Sequence, residues 1–131
     1  MSGWGKLSDG GEWSQVLRKV RIPIVGDQEC VTNVFHHSLG LHNMFTLSPR
    51  QMCAGDIVKI KGPCEGDSGS PMVVNTGSGQ WAVVGIVSWR NAAGSPGGGC
   101  SGNTYTIFTE ISHYIDWIAN TMELRPPIPT V

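Results

Sequence analysis

Apolar residues recur along this chain in short stretches that glycine and small polar residues separate. The stretch from Val16 to Val25 alternates between apolar and charged positions, as expected of a strand with one buried face. Pro23 cannot donate a ladder hydrogen bond, so it marks a sheet edge or the end of that strand. Residues 81–89 are almost continuously apolar, which predicts a strand buried on both faces. Short strands punctuated by glycine are typical of an all-β sandwich or barrel.

One segment near the C-terminus has the periodicity of a helix, with Ser112 as its predicted N-cap. Its apolar stripe consists of Ile111, Tyr114, Ile115, Ile118 and Met122. We expect this stripe to pack on the β-structure. The proline-rich segment 126–129 then ends the helix. The pattern predicts one domain over residues 1–122 and an extended tail over residues 123–131.

Weaker patterns predict the remaining elements. The predicted strands are residues 3–7, 49–55, 72–74 and 103–109, and the predicted short helix is residues 28–35, with Asp27 as its N-cap. Residues 36–48 and the glycine-rich residues 91–102 are predicted loops.

Composition narrows the class of protein. The chain has 131 residues, of which 40% are hydrophobic and 15% charged, as in globular domains. A net charge of -1 gives no reason to expect nucleic acid or an acidic membrane surface as a partner. No apolar run approaches the length of a membrane span. The first residues also lack the charged and apolar regions of a signal peptide, so we expect the chain to be a fragment whose true start lies upstream.

The four cysteines are Cys30, Cys53, Cys64 and Cys100. Four cysteines allow three pairings, and their spacing does not choose among them. None belongs to a Cys-x-x-Cys pair, which disfavours a zinc site. Two disulfides would indicate an oxidising, extracellular compartment. Four free buried thiols in a cytosolic protein are the alternative.

The segment Gly66-Asp67-Ser68-Gly69-Ser70-Pro71 carries the most specific chemistry. A serine hydroxyl is a weak nucleophile at neutral pH and needs a base to take its proton. Attack on a carbonyl places negative charge on oxygen, which needs preorganised donors. Glycines beside Ser68 let the backbone turn so that the amides of Gly66 and Ser68 point to one spot. Asp67 is not expected to face the substrate, and we expect an internal cation as its partner.

Five segments in this order resemble the trypsin and chymotrypsin family of serine proteases, which cleave peptide bonds with a Ser-His-Asp triad. They are Ser2-Gly3-Trp4-Gly5, Cys53-Ala54-Gly55, the Ser68 segment, Val84-Gly85-Ile86-Val87-Ser88-Trp89 and Tyr114-Ile115-Asp116-Trp117-Ile118. The resemblance implies the second six-stranded antiparallel Greek-key β-barrel of such a protease, followed by a C-terminal α-helix.

The resemblance also implies a role for individual residues. Ser68 would be the nucleophile, the amides of Gly66 and Ser68 the oxyanion hole, and Asp67 the partner of a new N-terminus made by proteolysis. Residues 88–90 (Ser88, Trp89 and Arg90) would bind the substrate backbone as an added strand. The implied disulfides are Cys30–Cys53 and Cys64–Cys100. The implied partners are peptide or protein substrates, the N-terminal half of the same domain and protein inhibitors, without a cofactor or metal.

The histidine and aspartate of the triad belong to an N-terminal barrel that this chain lacks. His36, His37 and His42 precede Ser68, but the resemblance places them in a loop that supplies no base. Solvated histidines are the expected interpretation, with a local His–Ser dyad and a zinc site as alternatives. His113 is expected at the surface. We therefore expect the chain alone to have no useful catalysis.

Three residues would shape the specificity pocket. The resemblance places Gly62 at its floor, where trypsin-like members carry Asp, and Arg90 and Thr106 at its walls. This trio predicts a first substrate side chain that is small and uncharged, or acidic if Arg90 turns inward. Alternatives are that Arg90 points to solvent or that the pocket is blocked. Tyr105 is expected to pack in the core, with a link to sodium as the weaker interpretation.

The predicted function is a serine endopeptidase present as an incomplete domain. The alternative is a homologue that no longer cleaves and serves as a binding or regulatory module. A free-standing half-domain with its own function is a third possibility.

Overall fold

A computed structural model describes residues 1–37, 46–90, 100 and 103–123. The described strands are β1 (Ser2–Gly3), β2 (Arg18–Lys19), β3 (Ile24–Val25), β4 (Gln51–Ala54), β5 (Pro71–Asn75), β6 (Trp81–Arg90) and β7 (Thr106–Glu110). The described helices are α1 (Asp27–His37), a 3-10 turn (Ile111–Tyr114) and α2 (Ile115–Thr121). No helix among the described residues is long and apolar enough to cross a bilayer.

The strands form two antiparallel sheets. Five of them follow the order β3-β4-β7-β6-β5, and β1 pairs separately with β2. The predicted all-β, antiparallel fold with a C-terminal helix is confirmed. The described residues do not close a six-stranded barrel, however, because the larger sheet ends at β3 and β5. The predicted strand over residues 16–25 is divided into β2 and β3, and Pro23 lies between them.

Strand β7 is central in the sheet, and its neighbouring residues serve opposite faces. Phe108 packs with Met52 and Met72 in one buried cluster, while Ile107 packs with Val34 in another. Successive side chains of a strand point to opposite faces, so β7 supports both clusters. Burying one such side chain contributes about 1.5–3 kcal/mol, which explains why these residues fix the centre of the fold.

Helix α1 is bound to the sheet on its Cys30 side. The disulfide Cys30–Cys53 joins it to β4, with a Cα–Cα distance of 6.1 Å, and Cys64–Cys100 has a Cα–Cα distance of 4.8 Å. Both pairings implied by the resemblance are thereby confirmed. The helix runs from Asp27 to His37 and so extends beyond the predicted residues 28–35, and its residues Cys30 and Val34 are buried against the sheet.

One burial prediction is wrong and a second holds only in part. In β6, Trp81 and Val83 remain 65% and 47% exposed, so only one face of its first half is packed. Of the predicted helical stripe, Ile111, Tyr114 and Ile118 are half-buried, whereas Ile115 and Met122 are exposed. No residue of α2 or of the preceding 3-10 turn is fully buried. Glu110 rather than Ser112 occupies the cap position of the 3-10 turn. An apolar run or stripe indicates which side chains favour burial, but other parts of the fold must supply the residues that bury them.

Candidate active site

The loop that carries Ser68 runs from the disulfide at Cys64 to the start of β5. The Asp67 amide donates to the Cys64 carbonyl and the Ser70 amide to the Asp67 carbonyl, each at 3.0 Å. The Gly69 amide then donates to the Val87 carbonyl at 2.9 Å, and the Val87 amide to the Ser70 carbonyl at 3.0 Å. These bonds attach both flanks of Ser68 to turns and to β6, so the loop is anchored on rigid structure.

Asp67 is buried, and two backbone amides bind its carboxylate. Oδ1 accepts a hydrogen bond from the Gly5 amide at 2.8 Å, and Oδ2 accepts one from the Cys64 amide at 3.0 Å. Within the described residues no cation forms an ion pair with Asp67, so amide dipoles replace the expected internal cation. Pairing with an incoming ammonium group stays a prediction.

The two glycines around Trp4 are explained by this carboxylate. A Cβ added at Gly3 would overlap Asp67 Oδ1, and one at Gly5 would lie 2.6 Å from Oδ2. Any side chain at either position would displace Asp67 from its cradle. Beyond the family resemblance that the Gly-Trp-Gly motif carries, a Gly-x-Gly spacing is itself a signal of close backbone approach.

Ser68 itself is exposed. Gly66 and Gly69 on either side have φ values of 90° and 80°, a conformation that favours glycine. The backbone amides of Gly66 and Ser68 donate no hydrogen bond to any residue that the structure describes. The loop therefore presents a hydroxyl beside two amides that an external oxygen could use.

Trp13 packs against the same loop, which the sequence did not predict. A Cβ at Gly66 would overlap its indole ring. The Lys6 ammonium lies 5.1 Å from the indole centroid and forms an ion pair with Glu65 at 2.7 Å. Trp13 and Lys6 thus hold the residues just before Ser68 from the side of the 6–13 segment.

The three predicted pocket residues do lie together. A Cβ added at Gly62 would be 3.7 Å from Thr106 Oγ1 and 3.8 Å from Arg90 Nη1. Arg90 Nε donates to the Thr104 carbonyl at 3.1 Å. Its Nη1 donates to the Cys100 carbonyl at 3.0 Å. The guanidinium is thus turned toward Gly62 rather than into solvent.

Two opposing effects act on the pKa of the Arg90 guanidinium. Burial lowers the pKa of its guanidinium, and the negative Asp9 carboxylate opposes that lowering. Asp9 also accepts a hydrogen bond from the Cys100 amide at 2.6 Å. An arginine guanidinium keeps its proton at neutral pH, so the pocket wall carries a partly compensated positive charge.

The predicted substrate edge falls at an irregularity of β6. Val87 pairs with Phe108 and Trp89 with Ile107, so the register shifts at Ser88. Ser88 and Trp89 are both exposed, and Arg90 is half-buried. Bulges of this kind re-aim side chains next to functional sites. The contact of this edge with substrate stays a prediction.

The described histidines do not complete a triad with Ser68. His36 is exposed on α1 beside Phe35, with 5.9 Å between ring centroids. His113 Nε2 lies 3.5 Å from the Glu110 carboxylate, and neither histidine hydrogen-bonds to Ser68. The side chain of His37 and the whole of His42 lie outside the described residues. Possible metal-ligand atoms lie within 4.8 Å of one another in Asp9, Cys64 and Cys100, but the two cysteine sulfurs form a disulfide.

Comparison with known proteins gives a consistent result. A model of the trypsin family matches residues 1–118. The chain is 36% identical over 90% of its length to Trypsin-1 of Astacus astacus, of which it covers 44%. It is 36% identical over 93% of its length to phenoloxidase-activating enzyme 1 of Spodoptera litura and covers 28% of it. It is 35% identical over 89% of its length to inactive CLIP domain-containing serine protease A28 of Anopheles gambiae, again covering 28%. The chain spans less than half the length of each of these relatives.

Proposed function

We propose that this chain, which belongs to the trypsin family of serine proteases, supplies the nucleophile half of a serine endopeptidase. Ser68 is the nucleophile, and the amides of Gly66 and Ser68 form the oxyanion hole. The rest of the protease domain supplies the histidine and aspartate. Peptide or protein segments are the substrates, and no cofactor is required.

The reaction follows from the chemistry of the loop. Ser68 Oγ attacks the peptide carbonyl carbon while the histidine of the other half takes its proton. The carbonyl oxygen becomes an oxyanion and accepts hydrogen bonds from the Gly66 and Ser68 amides. The C–N bond breaks as the histidine returns the proton to the leaving amine, and water then releases the acyl group from Ser68. Each oxyanion donor is worth about 10²–10³ in rate when it is preorganised.

One observation carries this proposal. Ser68 is exposed beside two amides without a described acceptor, on a loop in which the amides of Asp67, Gly69 and Ser70 are all hydrogen-bonded. The buried Asp67 supports the proposal, since hydrogen bonds from the Gly5 and Cys64 amides fix its carboxylate directly before Ser68 in the loop.

The pocket supports a first substrate side chain that is small or acidic. Thr106 and the inward Arg90 narrow the space above Gly62, and Gly62 offers no charge to a basic side chain. The Arg90 guanidinium would pair with a carboxylate that reaches it.

A peptide library assayed on the complete domain tests this specificity. We expect cleavage after small or acidic residues, and Arg90→Gln should lower the preference for acidic over small residues by about tenfold or more. Dominant cleavage after Lys or Arg would exclude the specificity proposal. Cleavage of no peptide, with Ser68 still reactive, would indicate a blocked pocket and also exclude it.

A fluorophosphonate probe tests the nucleophile. We expect strong labelling of the complete domain, loss of labelling in Ser68→Ala and retained labelling in the matched control Ser70→Ala. The 131-residue chain alone should label only weakly, because it lacks the base. Labelling of the complete domain that survives Ser68→Ala would refute the assignment of the nucleophile.

The second candidate is a non-cleaving homologue that binds or regulates other proteins. The relative from Anopheles gambiae that is named inactive favours it. An intact Ser68 loop does not exclude it, because the missing base can be lost independently. The histidine and aspartate positions in the completed domain decide between the two candidates: both residues present support the endopeptidase, and their replacement supports the homologue.

The two disulfides also suit an extracellular, oxidising setting. We therefore propose secretion. The partners we propose are substrates, the other half of the domain and protein inhibitors that present a substrate-like strand to residues 88–90.

A further inference from the structure

A tight turn after β1 places Asp9 against the Cys64–Cys100 disulfide. The Gly11 amide closes this turn by donating to the Ser8 carbonyl at 3.1 Å. The same Ser8 oxygen lies 3.9 Å from Cys64 Sγ, and Asp9 Oδ1 accepts a hydrogen bond from the Cys100 amide at 2.6 Å. The turn therefore contacts both halves of the disulfide, and Asp9 is half-buried there.

Cys100 joins Asp9 to the wall of the pocket. Its carbonyl accepts a hydrogen bond from Arg90 Nη1 at 3.0 Å, while its amide donates to Asp9. Arg90 and Asp9 thus bind the two backbone groups of one residue, and only that residue separates their opposite charges. Salt screens partly buried charges much less than exposed ones, and both side chains are half-buried. The two charges therefore act on each other and on whatever enters the pocket.

Neutral groups hold the Arg90 guanidinium in place. Its Nε donates to the Thr104 carbonyl at 3.1 Å and to Thr104 Oγ1 at 3.2 Å, and Thr104 is buried. These acceptors and the Cys100 carbonyl position the guanidinium without cancelling its charge. Burial lowers the pKa of Arg90, and the Asp9 charge raises it. Position and charge compensation are thus supplied by different residues, so one can be changed without the other.

A side chain that enters the pocket meets both charges. A Cβ at Gly62 would lie 3.8 Å from Arg90 Nη1, so a carboxylate above Gly62 is attracted by the guanidinium. The same carboxylate is repelled by Asp9 across Cys100. A neutral side chain of equal size experiences neither effect. Since specificity is a difference between two affinities, the two charges together remove most of the preference that Arg90 alone would give.

We propose that Asp9 is a specificity-determining residue of this pocket, because it offsets the charge of Arg90 and makes the pocket select side chains by size rather than by charge. The inference rests on the proposed function, which assigns the space above Gly62 to the first substrate side chain. It deepens that function, since acidic and neutral side chains of one size are then accepted about equally. Loss of the Asp9 charge converts the pocket into an acid-selective one.

The test measures binding rather than cleavage, in the complete protease domain carrying Ser68→Ala. Two blocked peptides, which differ only in glutamate or glutamine at the residue that enters the pocket, are titrated calorimetrically. Asp9→Asn removes the charge but keeps an oxygen that accepts from the Cys100 amide. Glu12→Gln removes the same charge from an exposed side chain of the same segment and is the matched control. Arg90→Gln tests the compensation without a change at position 9.

We expect the parent domain to bind both peptides with Kd values within about threefold of each other, because the two charges offset. Asp9→Asn should favour the glutamate peptide by about tenfold, and Arg90→Gln should favour the glutamine peptide by about tenfold, since each leaves one charge uncompensated. Glu12→Gln should leave the ratio unchanged. An equal loss of affinity for both peptides in Asp9→Asn, which a merely structural role predicts, overturns the proposal.

The remaining outcomes also decide the matter. A strong preference of the parent domain for glutamate, an equal shift in Glu12→Gln, an unchanged ratio in Arg90→Gln or binding of neither peptide overturns the proposal. Fluorophosphonate labelling of the domain with Ser68 intact separates this inference from the proposed function. Labelling without an effect of Asp9 overturns only the inference. An effect of Asp9 without labelling overturns the endopeptidase and leaves the pocket to a non-cleaving binding module.

Discussion

Among the described residues, Tyr105 joins ionisation to packing most directly. It is 4% exposed, and its hydroxyl donates to the Glu29 carboxylate on α1. Burial raises the pKa of the Tyr105 phenol to about 12, with further contributions from the hydrogen bond to Glu29, the Glu29 charge and the Asp56 charge. The folded state thus stabilises the neutral form of the Tyr105 phenol.

The free energy of unfolding should therefore fall at high pH. An unfolded tyrosine loses its proton near pH 10, whereas folded Tyr105 keeps it to about 12. Below pH 10 the stabilisation is complete, and it is lost as pH rises through 12, because the unfolded state then binds fewer protons. We expect the difference in unfolding free energy between wild type and Tyr105→Phe, measured in urea, to shrink across this window.

The chain's other tyrosine supplies the control. Tyr114→Phe should leave the wild-type dependence on pH in place. An identical high-pH decline in wild type and Tyr105→Phe would show that the phenol of Tyr105 is not its source.

At the scale of elements, the two disulfides differ in their surroundings. Cys30 and Cys53 are fully buried between α1 and the centre of the sheet, whereas Cys64 and Cys100 are half-buried beside the Ser68 loop. Thiol–disulfide exchange needs access of a thiolate to sulfur. The outer disulfide is therefore open to reductant in the folded state, and the inner one requires local unfolding.

We predict that limited reduction opens Cys64–Cys100 before Cys30–Cys53, by about tenfold or more in rate, because opening the inner one needs an unfavourable local unfolding step. Alkylation followed by peptide mass analysis measures the order. Cys30→Ser/Cys53→Ser should lower the free energy of unfolding by about 3–4 kcal/mol, as expected for closing a loop of this length. Simultaneous reduction of both disulfides would contradict the difference in access.

Elements were predictable where their cause was local. The Ser68 loop and most of β4, β5 and β6 follow from short-range glycine and apolar patterns, and the disulfide pairing followed from the family resemblance. The contact of Trp13 with Gly66 and the amide of Gly5 on Asp67 join residues more than fifty positions apart. Hydrophobic periodicity along the sequence does not indicate contacts between residues so far apart. The division of residues 16–25 into two strands could not be predicted either. Alternation of apolar and polar residues indicates which face of a strand is buried, but not whether a neighbouring strand is present.

At the scale of the whole molecule, many large apolar side chains of the described residues are exposed. One group lies in residues 4–17 and consists of Trp4, Leu7, Trp13, Val16 and Leu17; another lies in residues 115–122 and consists of Ile115, Trp117 and Met122. Scattered exposed apolar residues are normal, whereas a contiguous apolar patch marks an interaction surface, and several exposed apolar residues on one short segment favour such a patch. A net charge of -1 adds almost no repulsion between copies.

We therefore predict that the isolated chain self-associates at micromolar concentrations, measured by sedimentation velocity. Sulfate should strengthen the association, since it favours apolar burial. The double variant Leu7→Lys/Leu17→Lys should shift the population toward monomer, because it places charge on the first group. Val58→Lys changes an exposed apolar residue outside both groups and is the matched control, which should leave association unchanged. A chain that stays monomeric at high protein concentration would show that these side chains form no adhesive surface, and that the fold tolerates them without a covering partner.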